Sequence, residues 1–555
     1  MWRLEIMWKK LTVGQTAKYT DVYVTKKGVF NYENKKLSDV VYVDERWQEV
    51  KDSKGFIVLA FVVDGVLQRQ SFTTEEFEDR KIKLLSQFGF IVQPVHKSLL
   101  NEYLIEQYQT LTSKKTYTHI GFLPPSPVIS KEQVVFGLSR PIATKKQALK
   151  WDQQNCDFNV AVEGNVREWH KMVKEQVIKS PNLTLALGLG LSSIIIGYLR
   201  RTGESVDTAI FHLGGRSTTG KTTAGALAVS VWGRPTKGEK GLFQSWNATA
   251  NAMMKRLGKN NGVALLLDET SMSEIKDFTT VIYRLAEGGD KERSTKTGEL
   301  AEKSEWATTL ITTGESSVLE NTNKNNGLYV RMQEFADIQW TNSAEQADII
   351  KTVIGNNYGG AGILFARKLA ENWLVIPTTY KKWTAKLKKT VPKSEYSDRV
   401  IQRYAVILTG LELAQKPLKL KFNLKGVVEL INKTESVLAV ERNMAETIYD
   451  AVLKDVPITF NSFIFGEYHP LGECKGKISK RKGYYEVSYY PQAFEKLIQP
   501  FATNIKVAEE SLKDASFYLR EKDRNYKRTI DTDGKRTTIY SFKVPLNVVF
   551  PSNIQ

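Results

Sequence analysis

Cysteine is scarce in this chain: Cys156 and Cys474 are its 2 cysteines in 555 residues, with no Cys-x-x-Cys pair. That spacing excludes a disulfide framework, offers no zinc ligand set, and favours a reducing compartment, the cytoplasm. Histidine is also rare, 5 residues scattered along the sequence, so no metal-ligand cluster emerges. An excess of acid is missing too. Lys and Arg number 79 against 61 Asp and Glu, a formal net charge of +18, which calls for a polyanionic partner and favours nucleic acid over an anionic membrane. The N-terminus, Met1-Trp2-Arg3-Leu4-Glu5-Ile6 ahead of Lys9-Lys10, lacks the apolar stretch of a secretory signal. Long hydrophobic runs reduce to Leu183 through Leu199, which carries Gly188, Gly190 and Gly197. At about 17 residues it falls short of the roughly 20 of a membrane span and reads as a buried core helix.

What the sequence does hold is Gly215-Arg216-Ser217-Thr218-Thr219-Gly220-Lys221-Thr222, a complete G-x-x-x-x-G-K-[ST], directly after the apolar run Ala209-Ile210-Phe211-His212-Leu213. Glycines at those positions let successive N–H groups and a helix N-terminus converge on a β-phosphate. Lys221 then reaches the β/γ oxygens and Thr222 a Mg²⁺ ion. The run Thr223-Ala224-Gly225-Ala226-Leu227-Ala228-Val229-Ser230-Val231-Trp232 supplies the helix that must follow. The ligand set is therefore Gly215, Arg216, Ser217, Thr218, Thr219, Gly220, Lys221, Thr222 and Thr223, and the expected cofactors are ATP and Mg²⁺.

The length implies about three domains. Residues 1–150 alternate Val/Ile/Phe/Tyr-rich runs with turn signals, including Phe56 to Val63 before Asp64-Gly65, a hairpin signal. Helices are expected at 81–88 and 99–112, and a linker from Pro124-Pro125-Ser126-Pro127 to about 150. From about 165 to 350, helix and strand alternate as in an α/β sandwich with a largely parallel sheet. Helices are expected at 166–178, 183–200, 221–231, 249–257 and 273–286, and strands at 208–213, 242–246, 263–267, 306–312 and 333–340. Residues 345–432 read as helical. The tail, 438–555, predicts helices at 441–453 and 507–519 and a basic hairpin, Tyr526 to Ile530 with Thr537 to Phe542. Helices followed by a hairpin suggest a winged helix.

Val263-Ala264-Leu265-Leu266-Leu267-Asp268-Glu269 reads as a buried parallel strand delivering carboxylates to its C-terminal edge. Asp268 would orient Mg²⁺, and Glu269 would polarise the attacking water, which favours hydrolysis. The strand near Thr308 to Glu315 is expected between the phosphate loop and this acidic strand, so Thr312 or Thr313 is the candidate γ-phosphate sensor. Arg331, just before the last core strand, suits a ring ATPase in which it stabilises charge on a neighbour's nucleotide. The polar segment 291–305 can form a hairpin in which Lys291, Arg293 and Lys296 follow a phosphate backbone, although its cations are matched by acids. Basic stretches at Lys381 to Lys389 and Lys475 to Tyr485 interleave aromatics and suit nucleic acid or simply solvent. His212 reads as a core residue.

With those residues in place, Gly164 to Glu315 resembles the "domain of unknown function 927" family of mobile-element helicases. The likeness rests on Trp169, the phosphate loop, Val231-Trp232-Gly233, Ser245-Trp246-Asn247-Ala248-Thr249, Leu267-Asp268-Glu269 and Thr313-Gly314-Glu315. In length, domain order and charge the whole chain is similar to the Cch-type replicative helicases of staphylococcal cassette chromosome elements. The resemblance implies an α/β P-loop NTPase of AAA+ type, MCM-like, with a helical lid over 165–432. It also implies a β-rich α+β accessory domain over 1–150, a C-terminal winged-helix domain over 438–555, and a homo-hexamer around single-stranded DNA at a fork. It makes Arg331 a trans-acting finger, 291–305 a pre-sensor hairpin and Arg403 a second sensor. Arg216 departs from the acidic or neutral residue expected early in the loop, and Asn247 and Thr249 match a motif of underived role. Two other readings share some of these residues: a non-translocating AAA+ initiator or loader, and a P-loop kinase acting on a small molecule. A primase, polymerase or single-strand-binding partner would accompany the first reading.

Overall fold

The computed structural model describes residues 22–238, 240–247, 249–270, 278–289, 305–318, 326–392, 396–442, 444–502, 504–530, 536–546 and 548. Their apolar side chains gather into three main buried clusters, from Val22 to Leu104, from Ile120 to Ile431, and from Met444 to Val544.

Against the first, strands Val41–Glu49, Gly55–Val63 and Val66–Thr73 form one side of a five-stranded sheet whose order is Leu149–Trp151, Ser113–Tyr117, Val41–Glu49, Gly55–Val63 and Val66–Thr73; Leu149 and Tyr117 pack in a separate small cluster. Alternation in Gly55–Val63 sends Ile57, Leu59 and Phe61 into the cluster shared with Leu100, Tyr103 and Leu104 of helix Lys97–Thr110. Asp64 and Gly65 both adopt positive φ, 51° and 76°, and close the hairpin in which Val63 pairs with Val66. The helix expected at 81–88 is of the tighter 3₁₀ kind, Lys81–Phe88.

The segment after Pro124 is not a linker. Phe136–Gly137 and Pro141–Ile142 join Ile120–Phe122 and Asn260–Asn261 in a four-stranded sheet. The rings of Phe122 and Phe136 meet edge-on at 4.9 Å inside the second cluster. Prolines and polar residues here mark turns, while Val135, Phe136 and Leu138 are buried but too few to show a period.

The second cluster encloses α1 (Pro181–Arg201), β1 (Ala209–Leu213), α2 (Lys221–Ser230), β2 (Phe243–Ser245), β3 (Leu265–Asp268), β4 (Thr309–Thr313) and β5 (Met332–Phe335). The sheet runs β2-β3-β4-β1-β5, with every neighbouring pair parallel. All strands therefore end at one edge, where the turns after β1, β3 and β4 meet. Helix α1 is long and apolar enough to cross a membrane, but 94% of its most apolar window is buried in the protein. At Gly188 a Cβ would meet Ile407 at 2.8 Å and Leu411 at 2.9 Å, so glycine is what lets α1 lie against α3 (Ser397–Leu418). Helices Ala344–Asn356, Gly360–Glu371, Val375–Leu387 and Leu424–Arg442 complete the region expected to be helical. The strand expected at 333–340 stops at Phe335; Asp337, at φ 53°, turns the chain instead.

The third cluster packs helices Met444–Thr459, Pro491–Ile498 and Ile505–Leu512 on a sheet that includes Gly476–Arg481, Tyr484–Tyr489 and Arg536–Pro545. The basic stretch at Lys475 is thus largely a β-hairpin, and Lys527–Ile530 pairs with Arg536–Pro545 as expected. The helix expected through Leu519 ends at Leu512, because Tyr518 is drawn into the sheet to pack on Phe542 at 5.2 Å.

Candidate nucleotide-binding site

β1 launches the phosphate loop and α2 receives it. Gly215 and Gly220 take φ of 121° and 84°, values L-residues rarely adopt. A Cβ at Gly220 would lie 2.4 Å from the Thr341 hydroxyl. The post-β5 turn braces the loop there, since Trp340 N–H donates to Thr219 O at 2.8 Å. Arg216, Ser217 and Thr218 are exposed and Thr219 half-buried; Ser217 donates to the Glu315 carboxylate. The Lys221 ammonium is folded back on its own loop, donating to Gly215 O and Arg216 O, each at 2.6 Å. Thr222 is exposed, whereas Thr223 turns inward and is buried, which leaves Thr223 its backbone alone to offer a ligand.

Asp268, at the end of β3, is the hub. Its Oδ1 accepts from Thr222 Oγ1 at 3.0 Å and from Thr313 Oγ1 at 2.7 Å. Its Oδ2 lies 2.8 Å from Lys237 Nζ. The next residue, Glu269, sits at φ 64°, a strained value for a non-glycine, and its N–H donates to Thr313 Oγ1 at 3.0 Å. Hydroxyl and carboxylate oxygens so disposed are the hard donors that Mg²⁺ takes, so Thr222 and Asp268 fit that ion.

β4 does lie between β1 and β3, and the strand's alternation separates its two candidate sensors. Thr313 faces the acidic pair. Thr312 bonds instead with His212 Nδ1 at 2.7 Å, while His212 Nε2 contacts Ser316 O at 3.1 Å. Because a carbonyl only accepts, Nε2 carries the proton and Nδ1 accepts from Thr312. Burial pushes the His212 imidazole down to about 4, helped by the nearby Lys221 charge. His212 is therefore core, as its sequence setting suggests, and also a neutral brace between β1 and β4.

The two arginines lie elsewhere. Arg403, from α3, is buried and donates through Nε to Val330 O at 2.8 Å and through Nη1 to Thr208 O at 2.9 Å. Thr208 precedes β1, so this guanidinium is at the opposite edge of the sheet from the loop, about 15 Å away at strand rise. Arg403, expected as a second sensor from the lid, thus has its guanidinium on two backbone carbonyls, with the Asp207 carboxylate 3.8 Å away. Arg331 shares that far edge, stacked 4.1 Å over the Tyr283 ring and donating to Gly327 O at 3.0 Å. Lys291, Arg293 and Lys296 lie outside the described residues.

One residue escaped the sequence reading. Lys237 belongs to no motif, and only the fold brings it to Asp268. Thr249 has a plain local role, its Oγ1 accepting from Ala252 N at 3.3 Å to cap helix Ala250–Leu257.

A family model described as "Domain of unknown function (DUF927)" matches residues 19–305. It begins well before Gly164, where the motif resemblance starts, and so takes in the N-terminal sheet. Among solved structures, the chain is similar to one described as SCCmec type IV Cch, an active helicase. The TM-score is 0.77 at 24% identity, covering 95% of this chain and 97% of that one. No curated protein matches the sequence.

Proposed function

The chain belongs to the DUF927 family, and on that premise we propose that it is an ATP-dependent DNA helicase, a hexameric ring translocating on single-stranded DNA to replicate a mobile element. The observation that carries the ATPase part is the meeting of Thr222, Thr313 and Asp268 within 3.0 Å beside Lys221, with Glu269 as the next residue. The DNA part is supported by the net charge of +18 and by the likeness to the Cch helicase along nearly its whole length.

In this reading the parallel sheet and its helices over 165–432 are an AAA+ core with a helical lid. Residues 1–150 form an accessory domain and 438–555 a winged-helix domain. The N–H groups of Gly215 to Thr223 and the α2 N-terminus hold the phosphates. Lys221 exchanges the carbonyls of Gly215 and Arg216 for β/γ oxygens. Thr222 and Asp268 hold Mg²⁺, which neutralises phosphate charge when bound. Glu269, its backbone fixed by Thr313, orients the attacking water and accepts its proton. Arg331 serves a neighbouring subunit, a role that its place at the far edge of the sheet favours over one at its own loop. Lys291, Arg293 and Lys296 follow the DNA backbone, and the protein acts in the cytoplasm at forked DNA.

ATP turnover with and without single-stranded DNA tests this. Stimulation by DNA, lost in Glu269→Gln while ATP binding persists, is the expected result. Turnover indifferent to DNA would favour the small-molecule kinase reading.

A further inference from the structure

Asp268 has its two oxygens engaged differently. Both hydroxyl donors, Thr222 and Thr313, converge on Oδ1, so Oδ2 is the oxygen left to face a hydrated cation. Lys237 Nζ stands 2.8 Å from it. The ammonium comes from the turn between α2 and β2, whose base is tied down. Arg234 N donates to Asn159 O at 3.0 Å, Leu242 N to Arg234 O at 2.9 Å, and Lys240 Nζ to Gln154 O at 2.6 Å. The fixed base keeps Lys237 within reach of the site, while its side chain, 57% exposed against 7% for Asp268, is free to swing out. Its stem also brings the ammonium to 5.2 Å from the Phe243 ring.

An ammonium 2.8 Å from that oxygen and a divalent ion facing the same oxygen repel each other, so each weakens the other's hold there. Resting on the reading of this site as one for Mg-nucleotide, we propose that Lys237 is a resident counter-cation of Asp268 that competes with Mg²⁺ and sets how much Mg²⁺ nucleotide loading requires. It neutralises a nearly buried carboxylate that would otherwise repel incoming phosphates, and it yields when the metal arrives with them. Lys237 is thus a positioning residue for loading, and Lys221 remains the phosphate ligand.

The test is binding of a fluorescent, non-hydrolysable ATP analogue to the full chain, titrated with Mg²⁺ from an EDTA baseline and read by anisotropy. In Lys237→Met, which removes the charge at similar side-chain length, the Mg²⁺ midpoint should fall about three- to fivefold, the scale of a half-exposed ion pair. Lys237→Arg, which keeps the charge, should stay within about twofold of wild type. Equal midpoints in wild type and Lys237→Met would overturn the proposal. So would a loss of affinity in EDTA as large as that in Mg²⁺, which would make Lys237 a phosphate ligand. No binding by wild type would instead overturn the reading of the phosphate loop itself.

Discussion

The hydroxyl of Thr313 donates to the Asp268 carboxylate at 2.7 Å. The same oxygen accepts the Glu269 N–H, so one side chain orients both acids of the site. Thr313→Val should therefore lower ATP turnover about 10- to 100-fold, the usual cost of losing a group that orients metal ligands, with a smaller effect on ATP affinity. Thr312→Val removes a bond to His212 and should cost about 1 kcal/mol of stability. Steady-state turnover and denaturant unfolding of both variants check the contrast; equal turnover losses would show that Thr312 also serves the site.

His212 gives the fold a pH dependence of definite sign. Its folded-state value of about 4 lies below the ordinary 6.5, so between those values the unfolded chain binds the proton more readily than the native one. Stability is then lost as pH falls from about 6.5 to 4, by on the order of 3 kcal/mol. Replacing His212 by Gln should flatten that part of the profile, read as unfolding free energy against pH.

Gly220→Ala puts a methyl group 2.4 Å from the Thr341 hydroxyl at a φ of 84°. The loop must distort or Thr341 must shift, and a backbone strain of about 1–3 kcal/mol follows. ATP affinity should fall at least tenfold in an equilibrium binding assay, with a measurable drop in Tm.

Arg403 and Arg331 share one edge of the sheet and should fail differently. Arg403→Ala leaves the buried carbonyls of Val330 and Thr208 without their donors and should cost about 2–4 kcal/mol in unfolding. Arg331→Ala should leave stability within about 1 kcal/mol yet reduce turnover of the assembled protein about 1,000-fold. Mixing Arg331→Ala with Lys221→Ala subunits should restore part of the activity, because some interfaces then pair two intact halves.

The alternation of helix and strand across the core was legible because buried parallel strands such as Val263 to Leu267 are short, continuously apolar and bounded by turns. The turn from Gly215 to Gly220 between strand and helix was legible because such backbone curvature demands glycine at fixed places. Long-range placement was not. Nothing in the local pattern tells Thr312 from Thr313 until β4 is set beside β1, and nothing about Arg403 says which edge of the sheet α3 will cross. Lys237 is one lysine among many until the turn after α2 is folded back on β3. Around Phe136 the difficulty differed: a few apolar residues among prolines carry no period, and the strand they pair with, Ile120–Phe122, is itself extended by Asn260–Asn261 from far along the chain.

The most direct test of the account is ATP-dependent strand displacement on a forked duplex by the full chain, with Lys221→Ala and Glu269→Gln beside it. Wild type should release the strand and neither variant should. ATP hydrolysis and DNA binding by wild type without any strand release would contradict it, and would point to a non-translocating initiator or loader.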